Sequence, residues 1–282
     1  MKKIIVTGCN GQLGREINKF YADKRGLEFI NTDVDELDIT DIEAVMELVT
    51  AEKPYAIINC AAYTAVDACE TNQDLAFKIN TLGPRNLAIA ADKVGAKLVH
   101  ISTDYVFDGT KETPYMEYDN PNPKSVYGVT KARAEAFVRH FAHEYFILRT
   151  AWLYGDGKNF VKTMLKLSED HDELRVVDDQ FGSPTSTAEL VKAIDSLLFT
   201  NNYGTYHATC EGSCSWADFA EEIFRLAGKQ TKVIRVTSEE YGAPANRPKH
   251  SVLENYMLRM TNAYQFADWH DAIVAYMKEL GY

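Results

Sequence analysis

A short apolar run, Lys3-Ile4-Ile5-Val6-Thr7, passes directly into Gly8-Cys9-Asn10-Gly11-Gln12-Leu13-Gly14 and then into a helical segment reaching about Ala22. Few architectures accept a strand, a glycine turn and a helix in that order. The backbone amides of the turn and the helix N-terminus converge, and three glycines keep side chains out of the way, so a pyrophosphate can be held there. The spacing GxxGxxG departs from the GxGxxG of the standard dinucleotide fingerprint, and a plain tight turn with close helix packing would use the same glycines. Gly8, Asn10, Gly11, Gln12, Leu13 and Gly14 are the candidate contacts for a bound dinucleotide.

The first half of the chain continues the alternation. Strand candidates are Glu28 to Thr32, Tyr55 to Cys60, Lys97 to Ser102 and Tyr145 to Thr150, with helical stretches at Asp41 to Glu52, Asp74 to Val94 and Ser125 to His143. This pattern predicts an α/β fold, a Rossmann-like doubly wound parallel sheet covered on both faces, with ligand in the crevice at the carboxyl ends of the strands. After Thr150 the rhythm loosens, and helices are expected near Phe160 to Ser168, Thr187 to Phe199, Ser215 to Ala227 and Trp269 to Leu280. The expected division is a dinucleotide-binding domain over 1–150 and a smaller C-terminal α/β domain, mainly substrate-binding, over 151–282, with the chain free to cross back.

Charge narrows the partners. With 30 Lys plus Arg against 41 Asp plus Glu, the net charge of -11 disfavours nucleic acid and anionic membrane and leaves small molecules or proteins. No apolar run is long enough to span a bilayer, and Met1 to Val6 is too short for a signal-peptide core, so a cytoplasmic location is expected. Five cysteines, odd in number and without a CxxC pair, read as reduced and mostly structural.

Residues with chemistry cluster at the predicted strand ends. Asp33 is placed to accept from an adenosine ribose, and the following Val34-Asp35-Glu36 offers no cation for a 2'-phosphate, which leans towards NADH. Asp38 could accept from the adenine amino group while Ile39 packs on the ring. Ala61 and Ala62, followed by Tyr63 and Thr64, would let backbone approach a flat cofactor, although alanines also simply pack well. Thr103 brings a hydroxyl to the crevice rim and equally suits a loop cap. Tyr127 and Lys131, four apart in Ser125-Val126-Tyr127-Gly128-Val129-Thr130-Lys131, share one helix face. An ammonium beside a phenol favours the phenolate over its usual pKa of about 10, so such a pair could pass a proton near neutrality. Taken alone, the spacing favours a half-buried tyrosine and a solvated lysine.

Gly8-x-x-Gly11-x-x-Gly14, Asp38-Ile39, Asn59-Cys60-Ala61-Ala62, Ser102-Thr103 and Tyr127-x-x-x-Lys131, in this order, resemble the extended short-chain dehydrogenase/reductase family. Three further segments, Ser102 to Gly109, Arg149 to Tyr154 and Asp179 to Thr185, resemble the branch that reduces nucleotide-linked 4-keto-6-deoxysugars. The resemblance runs nearly end to end and weakens after Tyr206, where Asn246-Arg247-Pro248 still resembles a substrate-domain motif.

It implies reduction of dTDP-4-dehydro-6-deoxy-L-mannose, with hydride from NADPH or NADH and a proton from Tyr127. It further implies that Lys131 lowers the tyrosine pKa and binds the nicotinamide ribose, that Thr103 polarises the ketone, and that Asn80 supports the lysine. Asp104 and Trp152 would contact the sugar, and Arg247 would clasp the diphosphate. A core aromatic and a surface ion pair are the plain alternatives for the last two. Some members place three glutamates at a magnesium-linked dimer interface. Glu16 and Glu189 match two of them, but His270 stands at the third, so no metal is expected and the chain reads as a monomer or homodimer. Two other readings stay open. One is a sugar-nucleotide 4-epimerase; the other is a non-catalytic regulatory subunit, against which the joint presence of Thr103, Tyr127 and Lys131 argues.

Overall fold

The N-terminal half supplies β1 (Lys2–Thr7), α1 (Gln12–Tyr21), β2 (Leu27–Thr32), α2 (Ile42–Glu52), β3 (Ala56–Asn59), α3 (Val66–Thr71), α4 (Gln73–Phe77), α5 (Gly83–Val94), β4 (Lys97–Thr103), α6 (Val126–Phe141) and β5 (Tyr145–Thr150). The C-terminal half adds β6 (Leu153–Tyr154), α7 (Phe160–Leu167), β7 (Glu173–Val177), β8 (Phe181–Gly182), β9 (Thr185–Ser186), α8 (Thr187–Leu198) and β10 (Gly204–His207). It ends with β11 (Cys214–Ser215), α9 (Trp216–Leu226), β12 (Lys232–Val236), α10 (Ser238–Tyr241), α11 (Tyr256–Met260) and α12 (Trp269–Glu279). These elements are those of a computed structural model that describes all 282 residues.

Six strands form one parallel sheet in the order β10-β5-β4-β3-β1-β2. The chain leaves β1 for β2 on one side and returns to β3 on the other. That reversal opens a crevice beyond the carboxyl ends of β1 and β3. Side chains of β1 alternate between two apolar layers. Ile4 and Val6 join a cluster that includes Ile17, Leu148, Leu190 and Ile273, whereas Ile5 joins Val45, Ile57, Leu87 and Val138 on the opposite face. Burial on both faces is why the strands read as continuous apolar runs.

At one helix the structure differs from the sequence expectation. The stretch Asp74 to Val94 is not one helix: α4 and α5 are separated by a π-helical turn, Lys78–Leu82. Pro84 lacks the N–H that would bond back to Asn80 and its ring crowds that carbonyl, so the helix widens there. The chain also crosses back over the proposed boundary. β10 returns from the C-terminal half to pair with β5, and the larger apolar cluster runs from Ile4 through Phe219 to Trp269. The two halves therefore share one core, and the smaller lobe beyond it is carried by the parallel pair β7–β12 with α7 and α9. No helix is long and apolar enough to cross a membrane.

Candidate active site

Gly8 closes β1 at φ +66°, and a Cβ there would lie 2.7 Å from the Ala61 Cα, so the turns after β1 and β3 pass backbone to backbone. At Gly14 a Cβ would lie 2.5 Å from the Gly8 carbonyl oxygen. Gly11 begins α1 and offers no side-chain cap, which leaves first-turn amides available to an anion. A cradle that any side chain would fill, with uncapped donors at its end, fits a dinucleotide pyrophosphate. Gln12 and Leu13 line the crevice beside it.

Asp33 ties the turn to the end of β2, accepting from the Asn10 amide at 3.0 Å and the Val34 amide at 2.9 Å. Asp38 is exposed and accepts from the Thr40 amide at 2.8 Å. Ile39 is buried in the core against Gly83, where a Cβ would meet its Cδ1 at 2.5 Å. Neither lines the cavity that holds Thr103, Tyr127 and Lys131. Ala61, Ala62 and Thr64 line that cavity. Tyr63 is held by Asn80, which accepts its amide at 2.7 Å and donates to its carbonyl at 3.1 Å. Asn80 also donates to the Thr130 hydroxyl at 3.2 Å, so its side chain orders the loop and does not hydrogen-bond Lys131.

The cavity, about 570 Å³, brings Gly11 and the alanines together with Thr103, Asp104, Tyr127, Lys131 and Trp152. Ser125 caps α6 by accepting the Gly128 amide at 3.1 Å, which fixes the first turn that carries Tyr127. A Cβ on Gly128 would lie 2.2 Å from the Tyr105 carbonyl oxygen, so this glycine is what lets the helix approach the end of β4. The Tyr127 ring meets Tyr105 edge to face at 5.6 Å.

Burial pushes the Tyr127 phenol up; the Thr103 hydroxyl opposes this, and the Asp104 carboxylate adds to it. Lys131, 2 % exposed, donates to the Ile101 carbonyl at 2.5 Å, and burial brings its ammonium down to about 8 against the pull of Glu135. Lys131 is not among the groups that shift the Tyr127 phenol. The lysine is turned to the strand, and desolvation dominates at the phenol.

Thr103 donates to Asp104 at 2.9 Å and accepts from the Tyr105 amide at 3.2 Å. Asp104 is pushed up to about 6 by burial, while hydroxyls of Ser251, at 2.6 Å, and Thr103 act in the other direction. Trp152 adopts φ +48°, an unusual conformation for a bulky residue. Its indole stacks on Trp216 with centroids 3.5 Å apart, and Gly182 presses so close that a Cβ would sit 2.6 Å away. Arg247 does not stand free: Asp67 clasps its guanidinium at 2.8 and 3.0 Å. Arg247 lines a second cavity of about 700 Å³ with Arg175, Gln180 and Lys249, and Trp216 borders both cavities.

Sequence reasoning missed Trp216, Ser251 and Asp67. Only Trp216 carried a usable signal, one of three tryptophans in the chain and placed directly after Ser215 within the Ser215-x-x-Asp218 capping box. Glu16 and Glu189 border one groove, but His270 lies outside it. Glu189 is occupied by the Tyr264 hydroxyl at 2.7 Å and the Ala267 amide at 3.0 Å, and no three His, Cys, Asp or Glu side chains converge as metal ligands would.

The family model described as "RmlD substrate binding domain" matches residues 1–282. The dTDP-4-dehydrorhamnose reductase of Aggregatibacter actinomycetemcomitans is 39% identical, covering 97% of each chain. The spore coat polysaccharide biosynthesis protein SpsK of Bacillus subtilis is 40% identical over 99% of this chain and 98% of its own. A dTDP-4-dehydrorhamnose reductase structure from Bacillus anthracis in complex with NADP superposes with a TM-score of 0.96 at 45% identity, over 99% of this chain and 100% of that one. A UDP-glucose 4-epimerase from Thermus thermophilus, at 20% identity and a TM-score of 0.83 over 98% of each chain, shares the fold alone. Full-length agreement with the family model and with these reductases places the chain in the RmlD family, among the dTDP-4-dehydrorhamnose reductases.

Proposed function

We propose that this protein reduces dTDP-4-dehydro-6-deoxy-L-mannose (dTDP-4-dehydro-L-rhamnose) to dTDP-L-rhamnose at the expense of NADPH or NADH. One observation carries the reading: the hydroxyls of Thr103 and Tyr127 meet in the same cavity as Lys131 and the glycine cradle. Membership of the reductase family supports it.

When bound, the reduced nicotinamide supplies the hydride for the C4 ketone. The chain's own residues manage the proton. Burial keeps the Tyr127 phenol protonated at neutral pH, as a donor to the developing alkoxide requires. Thr103 has a single proton, which points at Asp104. Turning it towards the ketone oxygen is easiest when Asp104 is itself protonated, and an acid near 6 reaches that state without a large penalty. Lys131, fixed on the Ile101 carbonyl, would offer its remaining protons to the nicotinamide ribose. The pyrophosphate would lie on the glycine turn, and the nucleotide of the substrate in the cavity beyond Trp216, where Arg175, Arg247 and Lys249 supply positive charge. A cytoplasmic enzyme acting as a monomer or homodimer on a nucleotide sugar, with no nucleic acid, membrane or metal partner, completes the proposal.

Purified protein given dTDP-4-dehydro-L-rhamnose with NADPH or NADH should consume the reduced cofactor in step with substrate. An epimerase would give product without net loss of its absorbance, and a regulatory subunit would give neither. Absence of consumption with both cofactors overturns the proposal. The acidic Asp33-Val34-Asp35-Glu36 favours NADH and the relative solved with NADP favours NADPH, so the two are compared in the same assay.

A further inference from the structure

Beneath the active site lies a buried ion pair that the proposed mechanism does not use. Glu135 is 0 % exposed, one helical turn beyond Lys131 on α6, and it accepts from Arg149 in two-point fashion at 2.9 and 2.7 Å. Arg149, 2 % exposed, stands on β5, next to the strand that carries Thr103. A third donor is the hydroxyl of Ser102, at 2.6 Å, whose chain neighbour is Thr103. Arg139 reaches the same carboxylate from the rim at 3.2 Å.

The surroundings of Lys131 contain little else that could hold a cation. Its direct partner is the Ile101 carbonyl on β4. Behind it on the same strand is His100, which accepts from Asn59 and is kept neutral by burial and by Lys131 itself. The Cys60 thiol after β3 is pushed up by burial and stays protonated. On α6 the Tyr127 phenol is held neutral, and the Asp104 carboxylate and the Cys69 thiol, from the turn after β4 and from α3, act on Tyr127. Glu70 on α3 receives the Val126 amide at the start of α6, at 2.9 Å. The full negative charge that acts on Lys131 is Glu135.

We propose that Glu135 is a positioning residue of the reductase site: its carboxylate keeps the Lys131 ammonium charged and, through Ser102, holds the strand end bearing Thr103 in register with the helix bearing Tyr127 and Lys131. A carboxylate committed to Arg149 alone would serve the fold. One that also receives Ser102 and lies one helical turn from the lysine links the strand bearing Thr103 to the helix bearing Tyr127 and Lys131, and a lysine buried without a compensating anion loses its proton readily. The effect on rate rests on the reductase reading; the effect on Lys131 does not.

The test reads the lysine directly. With lysines carbon-13 labelled at Cε, the signal missing in Lys131→Met identifies Lys131, which is then titrated in the wild type, Glu135→Gln and Glu135→Asp. Glu135→Gln is expected to lower the midpoint by about one pH unit or more, and Glu135→Asp, which keeps the charge, to restore most of it. The alkaline limb of kcat should move the same way, with KM for the nucleotide sugar little changed. A folded Glu135→Gln protein whose Lys131 titrates with the wild type overturns the proposal. If stranding Arg149 prevents folding, Glu135→Leu with Arg149→Met is compared with Arg149→Met alone, and equal Lys131 midpoints in those two overturn it equally. Absence of turnover in the wild type would count against the reductase reading and leave the titration result standing.

Discussion

The hydroxyl of Thr103 donates to the carboxylate of Asp104 at 2.9 Å, so the one proton of that alcohol is committed to a buried acid. That acid is pushed up from the usual 3.8 to about 6 by burial, and the folded state therefore binds its proton more tightly than the unfolded chain does. Stability should rise as the pH falls from about 6 towards 4, by on the order of 3 kcal/mol from this group. Asp104→Asn removes the titration and should flatten that part of the curve. Urea unfolding of both proteins at several pH values in this window checks it, and equal slopes would refute the assignment.

Tyr127→Phe keeps the ring that packs edge to face on Tyr105 and removes only the proton donor. Turnover should fall roughly 100- to 10,000-fold, with cofactor affinity unchanged. Steady-state kinetics beside fluorescence titration of the reduced cofactor separates the two.

Gly8 combines a left-handed backbone with a 2.7 Å approach to the Ala61 Cα. Gly8→Ala should lower stability by roughly 2–4 kcal/mol, from strain and overpacking together. Denaturant unfolding should show a lower midpoint at unchanged slope, and dinucleotide binding should be lost even at temperatures where the variant is folded.

Arg247 can serve a diphosphate only by leaving Asp67, which holds it at 2.8 and 3.0 Å. Arg247→Met should raise KM for the nucleotide sugar about tenfold, a loss of about 1.4 kcal/mol. Asp67→Asn, which frees the guanidinium, should lower KM with little change in kcat. The same KM change in both variants would show that the pair only braces the loop.

Much of the site was legible because its parts are local. The turn Gly8 to Gly14 and the pair Tyr127 and Lys131 each lie within one or two turns of backbone, where spacing fixes geometry. Ile39 and Asn80 show the limit. Both stand where the resemblance would put cofactor or lysine contacts, yet Ile39 packs into the core beside Gly83 and Asn80 is spent on the Tyr63 backbone. Asn80 stands in the π-helical turn Lys78–Leu82 and Ile39 meets Gly83 just after it, a break that hydrophobic periodicity does not register.

By itself, then, the sequence determined the alternation of strands and helices, the glycine cradle and the residue types at the strand ends, because each follows from contacts between near neighbours. Only the tertiary structure decided the electrostatics. Whether Tyr127 sits high or low depends on its burial, the Thr103 hydroxyl and the charge of Asp104, and the Lys131 ammonium is drawn down by burial and up by Glu135, which Arg149 on another strand holds. Stacking of Trp152 on Trp216 and the grip of Asp67 on Arg247 likewise join residues far apart in the chain. Burial and pairing are sums over everything a fold brings near a group, and spacing along the chain does not contain that sum.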